Sequence, residues 1–179
     1  MSSAIECAKA RGGYAWWYIE AHDTVEKRYG LTLILFAGSV FSPFYAERLR
    51  KGQPAIGIEH PAVNLALYER TARPLFPHAQ RLWVMNEYPP SALQLSEQRI
   101  AIDRSYIEYH SDGSARIELH EETTQFFGDP GPHLDATLRI SAPRLPEPPL
   151  LLGQNAAGEA HYWQPLVAIG DVEVELASG

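Results

Sequence analysis

Ser105-Tyr-Ile-Glu-Tyr-His-Ser-Asp-Gly-Ser-Ala-Arg-Ile-Glu-Leu-His-Glu-Glu122 is the stretch whose reading decides the fold. Two runs, Ser105 to His110 and Ala115 to Glu122, flank Ser111-Asp112-Gly113. Asp-Gly between alternating runs is a β-hairpin signal, because glycine tolerates the positive φ of a tight turn. Along the second arm Ala115, Ile117, Leu119 and Glu121 share one face, and Arg116, Glu118, His120 and Glu122 share the other. That split predicts an antiparallel sheet with one face on a core and one in solvent.

The same pattern extends in both directions. Strands are expected over Tyr14 to His22, Gly30 to Phe41, Val63 to Glu69, Arg81 to Glu87 and Arg99 to Ile102 on one side of the hairpin. Leu134 to Ile140, His161 to Val167 and Val172 to Leu176 follow on the other. Gly30 to Phe41 is apolar on both faces over much of its length, which predicts a central strand. Asp23 to Tyr29 reads as a charged turn. Helical periodicity is confined to Phe44 to Lys51, where Ser42 offers an N-cap, Pro43 fits the first helical position and Gly52 ends the run. Prolines 143, 146, 148 and 149 make Ala142 to Pro149 an extended connector. Many short strands separated by turn signals predict an all-β barrel or sandwich.

Composition narrows the function. The 179 residues suffice for one core, and fifteen Lys and Arg against 22 Asp and Glu give a formal charge of −7. Nucleic acid is not an expected partner, since that binding rests on phosphate neutralisation. One cysteine, Cys7, excludes an intramolecular disulfide. Met1 to Arg11 has no apolar leader pattern, and Leu31 to Phe44 is too interrupted and too short to span a bilayer. A cytoplasmic protein is therefore expected. Phosphate-binding glycine loops and a nucleophile elbow are missing from the sequence. His120-Glu121 begins a zinc-protease pattern, but Thr124 stands where the second histidine belongs, and seven histidines show no metal-ligand spacing. No metal and no cofactor are expected.

Aromatic residues provide the positive signal. Tyr14, Trp16 and Tyr18 share one strand face and Trp17 takes the other, while Phe41, Phe44 and Tyr45 lie just past the long strand. Core packing accounts for any one of them; together they also suit a long apolar pocket, with Trp16, Tyr18, Phe41 and Tyr45 as its lining. Aromatic faces further stabilise a cation. His161 and Trp163 form a second constellation, two apart on a strand and facing one way.

These residues carry a resemblance. Gly12-Gly13-Tyr14-Ala15-Trp16-Trp17-Tyr18, Gly30-Leu31-Thr32 and Gly38-Ser39-Val40-Phe41-Ser42-Pro43-Phe44-Tyr45-Ala46 resemble the opening of the carotenoid 1,2-hydratase (hydroxyneurosporene synthase) family. Asn64-Leu65-Ala66-Leu67-Tyr68, Trp83-Val84-Met85-Asn86-Glu87 and His161-Tyr162-Trp163-Gln164-Pro165-Leu166 continue it in order, so it covers about Gly12 to Leu176. The resemblance implies a lipocalin-like fold of two related halves. Residues 1–11 are then a loose N-terminus, 12–142 a lipocalin-like β domain, and 143–179 a connector with strands leading into a second half. It also implies cofactor-free addition of water to the terminal 1,2 double bond of an acyclic carotenoid such as neurosporene or lycopene. His161 and Trp163 match the family's catalytic His-x-Trp, whereas its later Gly-Tyr-x-Asp segment, the source of the acid, has no match in the chain. The resemblance is therefore to the family's N-terminal portion. Glu20 stands where the family has Asp, and Pro74 to His78 reads as an insertion. Glu20 and Glu87 are the carboxyl groups considered as substitutes for the acid, and neither is favoured. A lipid-dissolved substrate implies peripheral membrane contact. The alternative reading is a non-catalytic lipocalin-like module that binds a terpenoid or another long apolar ligand; a related carbocation enzyme acting on another isoprenoid is a third.

Overall fold

The computed structural model describes residues 2–39, 41–70, 78–124, 130–141, 148–167 and 169–177. Two antiparallel sheets carry the architecture. The first is a meander of β1 (Ala15–His22), β2 (Tyr29–Ala37), β3 (Pro61–Arg70) and β4 (His78–Glu87). The second runs in the order β12-β9-β8-β7-β6-β5, from β5 (Leu93–Leu95), β6 (Arg99–Ile102), β7 (Ser105–Tyr109), β8 (Ala115–Thr124), β9 (Pro130–Ser141) and β12 (Asp171–Ala177). A separate hairpin joins β10 (Leu150–Gln154) to β11 (Ala160–Trp163). The α-helices among the described residues are α1 (Ser2–Lys9) and α2 (Pro43–Arg50). The all-β expectation holds, with the two sheets hydrogen-bonded separately among the described residues.

Local chemistry explains the turns. At the β7–β8 hairpin Asp112 Oδ1 accepts from the Ser114 amide and hydroxyl, and Gly113 takes φ 87°. Asp23 organises the β1–β2 turn by accepting from the amides of Val25, Glu26 and Arg28. Ser42 caps α2 by accepting from the Tyr45 amide at 3.1 Å, Pro43 opens the helix, and Gly52 follows it at φ 64°. Ser2–Lys9, read from sequence as loose, form α1, whose Ala8 packs into the core. Strands β5 and β10 are additional to the sequence reading: the first has only three residues, and Leu150-Leu-Leu-Gly-Gln154 has no alternation to signal it. Strand β12 pairs with β9 over Asp171 to Ala177, so its Val172, Val174 and Leu176 prolong the stripe of Ile140, Leu138 and Ala136. The connector residues 142–147, residues 74–77 of the expected insertion and Val40 lie outside the described residues, while His78 opens β4.

The core lies between the sheets. Leu31, Leu33 and Leu35 of β2, with Val63, Leu65 and Val84, meet Ile100, Ile107, Ile117, Leu119 and Leu138 of the second sheet. Each such side chain contributes about 1.5–3 kcal/mol by leaving water. β2 is central between β1 and β3, and its second apolar face has a separate use: Phe36 is fully buried there beneath Trp16 and Phe41.

One polar group interrupts the core. Glu121, on the apolar face of β8, is 1% exposed. Its carboxyl group accepts from Ser105 Oγ at 2.6 Å, Tyr88 Oη at 2.6 Å and Asn86 Nδ2 at 2.7 Å. Asn86 Nδ2 also donates to the Glu122 carbonyl at 3.0 Å. Ser105 belongs to the second sheet, while Asn86 lies on β4 and Tyr88 directly follows it, so the carboxyl group clamps one sheet to the other. Replacing it with Ala leaves three donors without their acceptor. Glu121→Ala is expected to lose stability by about 1–3 kcal/mol for each buried donor left unsatisfied. The readout is a lower urea midpoint at unchanged slope. Glu121→Leu combined with Tyr88→Phe should recover part of the loss, because fewer donors are stranded.

Burial, then the bond to Glu121, raises the Tyr88 phenol well above the ordinary range, and burial does the same for Tyr109. Unfolding lets both release their protons at the ordinary phenol pKa of about 10. Their contribution to stability is therefore complete below that value and disappears as pH rises through the raised folded-state values. Ultraviolet titration of the folded chain is expected to leave Tyr88 and Tyr109 protonated after the exposed tyrosines have ionised. Alkaline unfolding should release both together.

Candidate functional site

Strand alternation sorts the first aromatic cluster. Ala15 and Trp17 point into the core, and Trp16 and Tyr18 point outward with Tyr14. On the outer face of the first sheet the Tyr14 and Trp16 rings lie 5.2 Å apart. Trp16 packs edge-on to Phe36 at 5.4 Å and stacks on Phe41 at 6.4 Å. Its indole N–H donates to the Gly38 carbonyl at 2.9 Å, which satisfies the one polar atom of the ring. Tyr18 extends the row and donates to Glu20 Oε2 at 2.7 Å.

His161 arrives from β11, 147 residues away from Tyr14 in sequence. Its Nδ1 lies 2.8 Å from the Tyr14 hydroxyl, and the two rings meet edge to face at 5.7 Å. Burial raises the Tyr14 phenol, so it remains a neutral hydroxyl. If Nδ1–H donates to that oxygen, Nε2 keeps its lone pair and is a base; if the phenol donates, Nε2 carries the proton. Either way, one bond fixes the ring and leaves Nε2 available. Trp163, two residues on, faces the same side of the hairpin, lies opposite Leu150 and is 51% exposed.

The residues expected to line a pocket thus divide. Trp16, Tyr18 and Phe41 form the exposed outer row. Tyr45 lies inside: its hydroxyl donates to the Gly13 carbonyl at 3.1 Å and its ring packs on His60 at 5.4 Å, supporting the backbone just before Tyr14. The role of Tyr14 as the partner of His161 was not readable from sequence; its only signal was a shared face with Trp16. Glu87 is exposed on the rim of a groove of about 510 Å³, which Phe44, Arg48, Lys51, His60 and Tyr88 also line. Burial lowers the His60 imidazole pKa, and its Nε2 has no hydrogen-bond partner among the described residues. The charges around that groove suit a polar guest. The aromatic row suits an apolar one.

Backbone packing sets the row. Gly38 takes φ 89°, and a Cβ there would stand 2.8 Å from Gly57 Cα. A Cβ on Gly57 would stand 2.6 Å from the carbonyl oxygens of both Ala37 and Gly13. Three segments therefore cross with no room for side chains, and the crossing places the Gly38 carbonyl under the Trp16 indole. Gly38→Ala is expected to destabilise the chain by ~1–3 kcal/mol through the unfavourable φ and the clash. It should also red-shift Trp16 emission as the indole loses its acceptor.

The family model described as carotenoid hydratase CrtC matches residues 33–179. The chain is 34% identical over 166 residues to the acyclic carotenoid 1,2-hydratase of Thiocapsa roseopersicina, covering 92% of this chain and 36% of the relative. It is 32% identical over 169 residues to the enzyme of the same name from Rubrivivax gelatinosus, covering 93% and 37%. The chain thus spans little more than a third of the length of these curated relatives. No solved structure matches it significantly. The length of the family match and the similarity to both relatives agree: the chain belongs to the carotenoid hydratase family.

Proposed function

We propose that the chain is the His161-bearing portion of an acyclic carotenoid 1,2-hydratase, which adds water across the terminal 1,2 double bond of a polyene such as neurosporene or lycopene. The observation that carries this reading is the 2.8 Å contact between Tyr14 and His161 at the end of an exposed aromatic row. In the reaction a proton adds to C2 of the terminal isoprene unit, leaving a tertiary cation at C1. Water then bonds through oxygen to C1 and gives up a proton. Aromatic faces such as Trp16 and Trp163 steady the cation. With its Nδ1–H directed at Tyr14, His161 presents Nε2 to the attacking water and takes that last proton. The first proton requires a carboxylic acid held neutral by apolar surroundings; the family's Gly-Tyr-x-Asp segment is the proposed source, and it falls outside the 179 residues. Because the polyene resides in lipid, the complete enzyme touches a membrane peripherally from the cytoplasmic side. No helix among the described residues is long and apolar enough to cross one.

The test is incubation with lycopene or neurosporene in detergent, read by mass spectrometry for gain of one water and by tryptophan fluorescence. Joined to a Gly-Tyr-x-Asp-containing remainder, the chain is expected to form the hydroxylated product. His161→Ala should lower turnover by ~10²–10⁴-fold, the usual worth of a general base. By itself the chain should show saturable polyene quenching that Trp16→Ala weakens. Quenching with no product in the joined protein would favour the binding module, and neither signal would overturn both readings.

A further inference from the structure

The outer face of the second sheet carries a cluster that no reading of linear spacing reveals. His120 on β8 stands directly opposite Asp135 on β9, and His133 is two residues before Asp135, on the same face. Glu122 stands opposite His133, completing a square of four side chains. His120 Nδ1 lies 2.5 Å from Asp135 Oδ1, and His133 Nε2 lies 3.3 Å from that same oxygen. One ligand atom each from His120, His133 and Asp135 falls within a mutual 4.8 Å. We propose that His120, His133 and Asp135 form a binding site for a divalent transition-metal ion, with Zn²⁺ as the best fit, on the β8–β9 surface.

The donor chemistry selects the metal class. Two imidazoles and one carboxylate are a borderline set that suits zinc and its first-row neighbours over calcium or magnesium, which require more oxygen ligands. Bonds of ~2.0–2.1 Å at a tetrahedral ion separate neighbouring ligand atoms by roughly 3.3 Å. The His133–Asp135 separation already has that value. The His120–Asp135 pair needs to open by less than about 1 Å, which a side-chain rotation provides.

The scaffold is fixed as well. β8 and β9 pair from Ala115↔Ile140 through Glu122↔His133, deep inside the six-stranded sheet. The His120 amide is further held by Ser105 Oγ at 2.9 Å, and Ser105 in turn donates to Glu121. The backbones that carry the ligands are thus set by the core clamp on the opposite face. One group opposes a cation: Arg104, in the β6–β7 turn, approaches His120 Nδ1 at 3.4 Å. Arg104 is exposed, so its side chain can swing outward, and Glu122 adds an acidic residue opposite His133 in the strand register.

Isothermal titration of the metal-free 179-residue chain with Zn²⁺, in a Cys7→Ser background that removes its one thiol, tests the site. The expected result is saturable binding of one ion per chain, with His133→Ala and Asp135→Asn each weakening affinity at least tenfold. Arg104→Gln should bind as tightly as the parent or more tightly. With Co²⁺ as the probe, visible absorption bands should appear in the parent and vanish in His133→Ala. His133 is a surface residue, and circular dichroism will confirm that the variant is folded. Absence of saturable binding below millimolar Zn²⁺, or equal affinity in parent and His133→Ala, overturns the proposal.

Discussion

A carboxyl group placed where an aliphatic side chain belongs is the constraint on which the two-sheet arrangement depends. Glu121 occupies the core face of β8 and accepts from Asn86 and Tyr88 on one side and Ser105 on the other. A buried acceptor of this kind is stable only while all its donors are present. Apolar contacts between the sheets tolerate sliding by a fraction of a side chain, whereas three bonds of 2.6–2.7 Å do not. The clamp therefore converts a non-directional attraction into a single registration of β4 against β8. Through Ser105 it reaches the His120 amide and the outer face of the second sheet.

The first sheet has two working faces. Its inner face contributes Leu31, Leu33 and Leu35 to the core. Its outer face buries Phe36 under Trp16 and Phe41 and continues through Tyr14 to His161. That arrangement explains why β2 is apolar on both sides although only one side meets the second sheet. It also separates the charged groove beside α2 from the aromatic row, and gives His161 a tyrosine partner within this chain.

Much of the scaffold could be read directly because its causes are local. Alternation in Ala115 to Glu122 assigned Glu121 and Leu119 to one face and His120 to the other, and the structure keeps that division. The Ser42-Pro43 start and Gly52 stop of α2 are decided by capping groups within one turn of the helix. The order Tyr14, Trp16, Tyr18 on one face and Trp17 on the other is likewise a period-2 consequence. Strand β10 escaped notice because three successive leucines have no face preference, and α1 because an eight-residue amphipathic segment is a weak signal next to its contact with the core.

The residues by themselves determined which way each strand side chain points, where the chain turns and which family pattern it follows, since steric and capping forces act within a few residues. Tertiary structure alone decided who meets whom. The face arithmetic put Glu121 among apolar residues but could not supply Asn86 and Tyr88 from another sheet. Tyr14 and Trp16 could be seen to share a face, yet His161 reaches them only because the β10–β11 hairpin folds back across 147 residues. His120, His133 and Asp135 have no recognisable linear spacing; the β8–β9 register brings them together. Pairing register and hairpin return are set by the burial of the whole apolar surface at once, and no short window of sequence contains that sum.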